Sequence, residues 1–226
     1  MQLSRNVMIV DDSKNLGGEI KQYNHIFKHI KNERQLEFSI NFIPVQKYEE
    51  AIELLEHGKD TYDVLIIDYD LRQAGNVKYG SELVKEIRER INKYCKLIFY
   101  TMGDLTEIFP NRNDLINLFN QGIYRFISKD TKSNSVNQYG LSELQIRVET
   151  IIEAIENIDF VQVSLEKYFL EYADIINDER IRVQGKEYSI NEIITFIKKD
   201  EKTGRLYKGN LAESIIIHNI LSGGAE

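Results

Sequence analysis

Several residue types are scarce in this chain of 226 residues, and each scarcity excludes something. A single cysteine, Cys95, rules out an internal disulfide and fits a reducing compartment. There are only two prolines and no run of about 20 apolar residues, so neither a proline-rich linker nor a membrane-spanning helix is indicated. The first residues lack the apolar core of a signal peptide. We therefore expect a soluble, cytoplasmic protein with no membrane contact.

Positive charge is also in short supply. Acidic residues number 36 against 29 basic residues, which gives a net charge of -7. Nucleic-acid binding draws on positively charged surfaces, so general binding to a phosphate backbone is not favoured. Apolar residues make up 42% of the chain, enough for a packed core, and the length indicates one domain plus a smaller region.

The first half alternates short apolar runs with helical periodicity. Continuous runs such as Val64–Ile67 and Leu97–Tyr100 are typical of a parallel sheet with helices on both faces. Strands are predicted at residues 7–10, 36–45, 63–68, 96–101 and 122–129. With right-handed crossovers, this pattern predicts an α/β fold. Its core is a doubly wound, five-stranded parallel sheet of the flavodoxin-like type, with strand order 2-1-3-4-5.

The second half has a different pattern. We predict a first domain at residues 1–135 and a mainly α-helical region at 140–226, with an output, adaptor or dimerisation role. Leu141–Phe160 carries one apolar stripe suited to packing against the first domain or a second copy. A small hairpin is predicted around Gly185, a capping box at Ser189–Glu192 and a last helix at Asn210–Leu221.

Acidic residues stand where two of the predicted strands end. Asp11 and Asp12 follow the first strand, Asp68 ends the third, and Asp70 comes two residues later. In the predicted order these strands are neighbours, so their carboxyl ends meet at the topological switch point, where such sheets bind ligands. Three carboxylates there would repel one another unless a cation lay between them. Mg²⁺ prefers oxygen ligands of this kind, and a magnesium site is predicted.

Two further strands, the fourth and the fifth, end in groups suited to phosphoryl transfer. The fourth ends in the hydroxyl of Thr101 and the fifth in the ammonium of Lys129. The Asp68 carboxylate can attack phosphorus to form an acyl phosphate. Lys129 and Mg²⁺ can neutralise charge on the transferred group, and Thr101 can hydrogen-bond one of its oxygens.

Taken in order, these segments resemble the four motif blocks of the receiver domains of bacterial two-component response regulators. The blocks are Val7–Asp12, Val64–Leu71, Leu97–Thr101 and Ile127–Lys129. The resemblance covers about residues 5–132. It implies a phosphorylation-controlled switch that accepts a phosphoryl group from a sensor histidine kinase, with Mg²⁺, and passes a signal to an unknown protein partner. It also implies no enzymatic activity beyond self-catalysed phosphotransfer and autodephosphorylation.

The resemblance further implies a role for each residue of the site. Asp68 is the phosphoacceptor, assisted by Lys129 and Thr101. The metal ligands are the side chains of Asp11, Asp12 and Asp68 and the backbone carbonyl of Asp70. Thr101 and Phe126 form the pair that reports phosphorylation.

Two residues depart from the family pattern. Asp130 replaces the proline that usually follows the lysine, and Met102 replaces the small residue that usually follows the threonine. The first change favours an alternative, a degenerate receiver that signals without phosphate. Simpler structural roles also exist: Asp12 capping the first helix, Lys129 pairing with an acid, and Thr101 favouring a strand.

Two other functions compete. Residues 180–208 carry 8 basic and 4 acidic residues, so the second half could bind DNA as a transcriptional regulator, although Asn210–Leu221 is nearly free of basic residues. A phosphatase that forms an aspartyl phosphate would need a general acid, and Asp70 lies at a suitable offset from Asp68. We favour the signalling switch, with a homodimer formed through the C-terminal helices as one arrangement.

Overall fold

The computed structural model describes residues 3–58, 60–72, 78–92, 95–101, 105–128, 142–176 and 178–222. The chain divides after Ile158 into two compact units. This boundary lies later than the sequence indicated, because a helix expected in the C-terminal region belongs to the first unit. Across the described residues, no helix is both long and apolar enough to cross a membrane.

The first unit contains a five-stranded parallel sheet. Its strands are β1 (Leu3–Val10), β2 (Phe38–Val45), β3 (Val64–Asp68), β4 (Lys96–Thr101) and β5 (Arg125–Ser128). All neighbouring strands are parallel, and their order is β2-β1-β3-β4-β5. This confirms the predicted fold class. The order changes direction between β1 and β3, so their carboxyl ends open a crevice at the edge of the sheet.

Helices cover both faces of this sheet. They are α1 (Leu16–Arg34), α2 (Tyr48–His57), α3 (Gly80–Glu86, continued by the π-helical turn Ile87–Ile91), α4 (Leu105–Ile108), α5 (Arg112–Asn120) and α6 (Glu143–Glu156). Successive strand residues face opposite sides. Val7 and Ile9 therefore join the core under α1 and α6, and Met8 and Val10 join the core under α2 and α3. This two-sided burial explains the continuous apolar runs in the sequence.

Helix α6 is the reason that the boundary between the two units lies after Ile158. Its apolar stripe, which includes Val148 and Ile151, is fully buried in the core that β1, β3 and α1 share. At the surface, Arg34 of α1 and Glu149 of α6 form an ion pair of 2.6 Å. Of the two predicted uses of this stripe, the structure therefore shows packing against the first domain.

The second unit is smaller and mainly helical. Its elements are α7 (Phe160–Glu171), α8 (Ala173–Ile176), β6 (Arg180–Val183), β7 (Lys186–Ser189), α9 (Ile190–Lys198) and α10 (Lys202–Ser222). Strands β6 and β7 form the predicted antiparallel hairpin. The predicted capping box is also present. The Ser189 hydroxyl accepts the Glu192 N–H at 3.2 Å, and the Glu192 carboxylate accepts the Ser189 N–H at 2.7 Å. The hydrophobic core is small, centred on Val183, Ile193 and Ile197.

Candidate metal centre

Three carboxylates come together at the switch point of the sheet. Asp11 and Asp12 follow β1 directly, and Asp68 is the last residue of the neighbouring strand β3. Their exposed fractions are 3%, 4% and 7%. One oxygen from each lies within 4.8 Å of the others. The fold therefore gathers in one buried cluster the three side chains that the sequence pointed to.

The cluster suits a hard divalent cation. Octahedral Mg²⁺ binds oxygens at about 2.1 Å, which sets ligand oxygens about 3 Å apart when adjacent and about 4.2 Å apart when opposite. Oxygens within 4.8 Å of one another can bind one such ion together after side-chain movements of up to about 1 Å. Buried carboxylates also need compensating charge, because burial makes an isolated negative charge costly. The donor set and its burial therefore fit a magnesium ion.

Local backbone contacts hold the carboxylates in place. Ser13 donates its N–H to the Asp11 carboxylate at 2.8 Å. Beyond β3, Tyr69 donates its N–H to the carbonyl of Tyr100 at 2.9 Å, and Gly80 donates to the Tyr69 carbonyl at 2.8 Å. A Cβ on Gly80 would lie 1.9 Å from the Asp68 carbonyl oxygen. Only glycine allows this approach, which packs the start of α3 against the end of β3.

The simpler role for Asp12 does not hold. Helix α1 begins at Leu16, and its N-cap position is Asn15. Asp12 therefore lies ahead of the cap, in the carboxylate cluster. Thr101 is buried at the end of β4, one residue after Tyr100, which pairs with Asp68 across the strands. The structure thus places Thr101 at the same edge of the sheet as the cluster.

The Asp70 side chain is engaged elsewhere. Arg72 binds both of its oxygens, each at 2.8 Å. The hydrogen bonds from Arg72 hold the pKa of the Asp70 carboxyl below its ordinary value. The role predicted for Asp70 uses its backbone carbonyl, so this ion pair leaves that prediction open.

Of the remaining predicted residues, the structure describes Phe126 alone. Phe126 is partly buried, with its ring 5.8 Å from Phe99 and 6.0 Å from Phe119. It carries no hydroxyl, so a conformational switch at this position would depend on packing alone. Lys129, Met102 and Asp130 lie outside the described residues, and the predictions for them stand as made.

Two residues that the sequence analysis did not single out border the cluster. Tyr100 is fully buried and donates its hydroxyl to the Asp11 carboxylate. Burial, together with Asp11 and Asp68, raises the pKa of Tyr100 well above its ordinary value. Arg147 of α6 lies with its guanidinium 4.5 Å from the centre of the Tyr100 ring. Only Arg147 had a signal in the sequence, since it interrupts the apolar stripe between Leu144 and Val148.

A cavity of about 680 Å³ opens beside these groups. Its walls combine the end of β1, the first turns of α1 and the first turns of α6. Asp11, Asp12, Asp68, Glu19, Glu143 and Arg147 are among the residues that line it. The cavity thus gives small molecules a route to the carboxylates. Its lining includes the positively charged Arg147 side chain as well as acids.

The sequence matches no protein-family model and no curated protein. Several solved structures resemble it, among them three response regulators. The phosphorylated cyanobacterial phytochrome response regulator RcpA is 16% identical, with 69% of this chain and 96% of that chain covered and a TM-score of 0.44. A receiver domain protein from Clostridium thermocellum is 15% identical, with 67% and 94% covered and a TM-score of 0.47. The Mn²⁺-bound form of response regulator Rcp1 is 16% identical, with 69% and 97% covered and a TM-score of 0.46.

At this identity and these TM-scores, the similarities carry no argument about what this chain does. The strand order defines the fold by itself.

Proposed function

We propose that this chain is the phosphorylation-controlled receiver of a two-component signalling system. In this proposal Asp68 accepts a phosphoryl group from a histidine kinase. The observation that carries it is the buried cluster of Asp11, Asp12 and Asp68 at the switch point, with oxygens within 4.8 Å of one another. Three buried acids this close together repel one another, and a divalent cation between them would offset that repulsion.

The chemistry assigned to Asp68 is a displacement at phosphorus. One carboxylate oxygen forms a new bond to phosphorus while the bond from phosphorus to the kinase histidine nitrogen breaks, and that nitrogen keeps the electron pair. The products are an acyl phosphate on Asp68 and a histidine that becomes neutral when its ring takes up one proton from solvent. Thr101 is assigned a hydrogen bond to a phosphoryl oxygen and Lys129 a charge contact with it.

Magnesium completes this proposal. The side chains of Asp11, Asp12 and Asp68 and the carbonyl of Asp70 are assigned as its protein ligands. When bound, the ion would supply positive charge that offsets the carboxylates and the phosphoryl oxygens.

The phosphatase alternative is less well supported, because it depends on Asp70 as a general acid. A general acid must hold its proton at the working pH. Asp70 is bound by Arg72, which lowers the pKa of its carboxyl, so Asp70 is ionised at neutral pH. A phosphoacceptor needs no such acid, and the receiver is therefore preferred.

The second unit is assigned the output role. The excess of basic residues at 180–208 favoured DNA as a partner, yet at least four of the eight basic residues form ion pairs within this unit. Arg182 pairs with Glu187 at 2.8 Å and Arg205 with Asp200 at 2.7 Å. The other two pairs are Lys198–Glu166 and Lys208–Asp159, at 3.9 and 3.5 Å. This internal neutralisation favours a protein partner over DNA, and the absence of salt-dependent DNA binding would agree.

Phosphoryl uptake tests the proposal directly. The purified chain is incubated with acetyl phosphate, with and without Mg²⁺, and its intact mass is recorded. We expect a gain of about 80 Da that requires Mg²⁺ and is lost in Asp68→Asn. Asp60→Asn is the matched control, because Asp60 is an exposed acid shortly before the same strand.

Two results would count against the proposal. A mass gain that survives in Asp68→Asn would place the phosphoryl group on another residue. No gain in the unmodified chain would favour the degenerate receiver.

A further inference from the structure

A buried arginine shares the cavity with the carboxylate cluster. Arg147 projects from the first turns of α6 and is 4% exposed. Its guanidinium covers the ring of Tyr100, whose hydroxyl in turn binds Asp11. The cation is therefore separated from the carboxylate cluster by a single aromatic side chain.

The hydrogen bonds of Arg147 are incomplete. One terminal nitrogen donates to the Tyr23 hydroxyl at 3.2 Å and lies 3.6 Å from a Glu19 oxygen. The other terminal nitrogen binds Glu143. Within the described part of the chain, the buried Nε finds no hydrogen-bond partner. An arginine buried for stability alone normally has its donors satisfied, so an unpaired buried N–H calls for another explanation.

The side chains that contact Arg147 differ in charge and in exposure to solvent. Burial raises the pKa of the Tyr23 hydroxyl to about 12, so Tyr23 is neutral at pH 7. Glu19 and Glu143 supply the negative charge, and the Glu143 side chain is 42% exposed at the first residue of α6. An exposed ion pair is weakened by solvent, so Glu143 is the partner that a competing anion displaces most easily.

We propose that Arg147 is a second cation for the phosphoryl group on Asp68, exchanging Glu143 for a phosphoryl oxygen when that group is present. The inference rests on the proposed function of Asp68. Arginine is suited to the role because its planar fork binds phosphate oxygens through charge-assisted hydrogen bonds. The exchange breaks no covalent bond. It releases Glu143 at the start of α6, so phosphorylation changes the side-chain contacts at the start of this helix.

Two binding measurements on the full chain separate this role from a structural one. The first is the affinity for Mg²⁺ alone, by calorimetry. The second is the affinity for beryllium fluoride, an analogue of the phosphoryl group, at saturating Mg²⁺. For Arg147→Ala we expect a fall of roughly 10- to 100-fold in beryllium fluoride affinity. Affinity for Mg²⁺ should hold or rise, because a positive charge near the acids is lost.

Two further variants sharpen the test. Arg34→Ala is the matched control, since Arg34 also joins α1 to α6 through an ion pair, with Glu149. It should change neither affinity. Glu143→Gln removes the competing carboxylate at an exposed position, so it should strengthen beryllium fluoride binding. This variant also keeps the inference testable if Arg147→Ala does not fold.

The outcomes are distinct. The inference is overturned if Arg147→Ala binds beryllium fluoride as well as Arg34→Ala does, or if it loses affinity for Mg²⁺ and beryllium fluoride together. It is also overturned if Glu143→Gln binds beryllium fluoride no more tightly than the unmodified chain. If the unmodified chain binds Mg²⁺ but no beryllium fluoride, the proposed function itself fails, and the inference with it.

Discussion

Arg5 and Asp63 form a buried ion pair near the amino ends of β1 and β3. The two charged atoms are 3.0 Å apart, and the side chains are 3% and 1% exposed. The Asp63 carboxylate also accepts the backbone N–H of Asn6 at 3.0 Å. The pair lies at the opposite end of these strands from the carboxylate cluster, so its contribution is to stability.

Removing one partner of this pair should destabilise the first unit strongly. Asp63→Ala removes the carboxylate that pairs with the buried Arg5 charge, so we expect the free energy of unfolding to fall by about 3–5 kcal/mol. Urea unfolding measures this change. Glu89→Ala is the control, since Glu89 forms an exposed ion pair with Lys85 at 4.0 Å, and its loss should cost less than about 1 kcal/mol. Similar losses in both variants would refute the argument.

At the scale of elements, the second unit depends on one close approach between helices. Gly204, in the first turn of α10, lies against the end of α9. A Cβ there would lie 2.5 Å from backbone atoms of Phe196 and Ile197. Backbone atoms cannot rotate aside as a flexible side chain can, so a substituent would separate the helices.

Gly204→Ala should therefore destabilise the second unit, although alanine favours a helix. We expect a loss of about 1–3 kcal/mol in the free energy of unfolding, measured by hydrogen exchange of α9 amides. Gly209→Ala in the same helix is the matched control, because among the described residues no atom beyond its chain neighbours and the adjoining backbone of its own helix lies within 4 Å of an added Cβ. That variant should gain up to about 1 kcal/mol. Stabilisation by both changes would show that the close approach does not matter.

The π-helical turn Ile87–Ile91 that ends α3 shows how packing overrides simple periodicity. Arg88 in this turn donates to the carbonyls of Gln121 and Gly122, at 2.8 and 3.0 Å, and so ties α3 to the residues before β5. The helical periodicity of residues 81–91 by itself indicates an ordinary helix. Its wider turn is visible only once the contacts across 33 and 34 residues are present.

At the scale of the whole molecule, the end of α10 is an uncovered apolar surface. Large aliphatic side chains there are 53% to 74% exposed, namely Ile215, Ile216, Ile217, Ile220 and Leu221. Residues 209–222 contain one residue among Asp, Glu, Lys and Arg, which is Glu213. A second copy of the same segment would therefore bring almost no like charges together, and apolar surfaces of this kind mark interaction sites.

We expect the chain to form a homodimer through this segment. Light scattering after size-exclusion chromatography should give about twice the mass of 26.5 kDa. A double change, Ile216→Glu with Ile220→Glu, places charges one helical turn apart and should give the monomer. Ile175→Glu is the control, because Ile175 is 76% exposed in α8. A monomer for the unmodified chain would leave a different protein as the partner for this surface.

Much of this molecule was determined by sequence alone. Parallel strands buried on both faces need continuous apolar runs, so Val64–Ile67 and Leu97–Tyr100 were predicted as strands. The rule of right-handed crossovers then gave the strand order. Asp11, Asp12 and Asp68 were found because each lies where a strand ends, and parallel strands end at one edge. The capping box at Ser189–Glu192 is a local signal, and it was predicted for the same reason.

Tertiary structure alone decided which distant residues join these elements. The apolar stripe of α6 allowed packing on the first domain or on another copy, and the space beside α1 on the sheet settled its place. The only sequence signal for Arg147 was a positive charge within that apolar stripe. Its position over Tyr100, 47 residues earlier in the chain, depends on how α6 crosses the sheet. Periodicity records which face of an element is buried, whereas a contact between distant side chains exists only after those faces have packed.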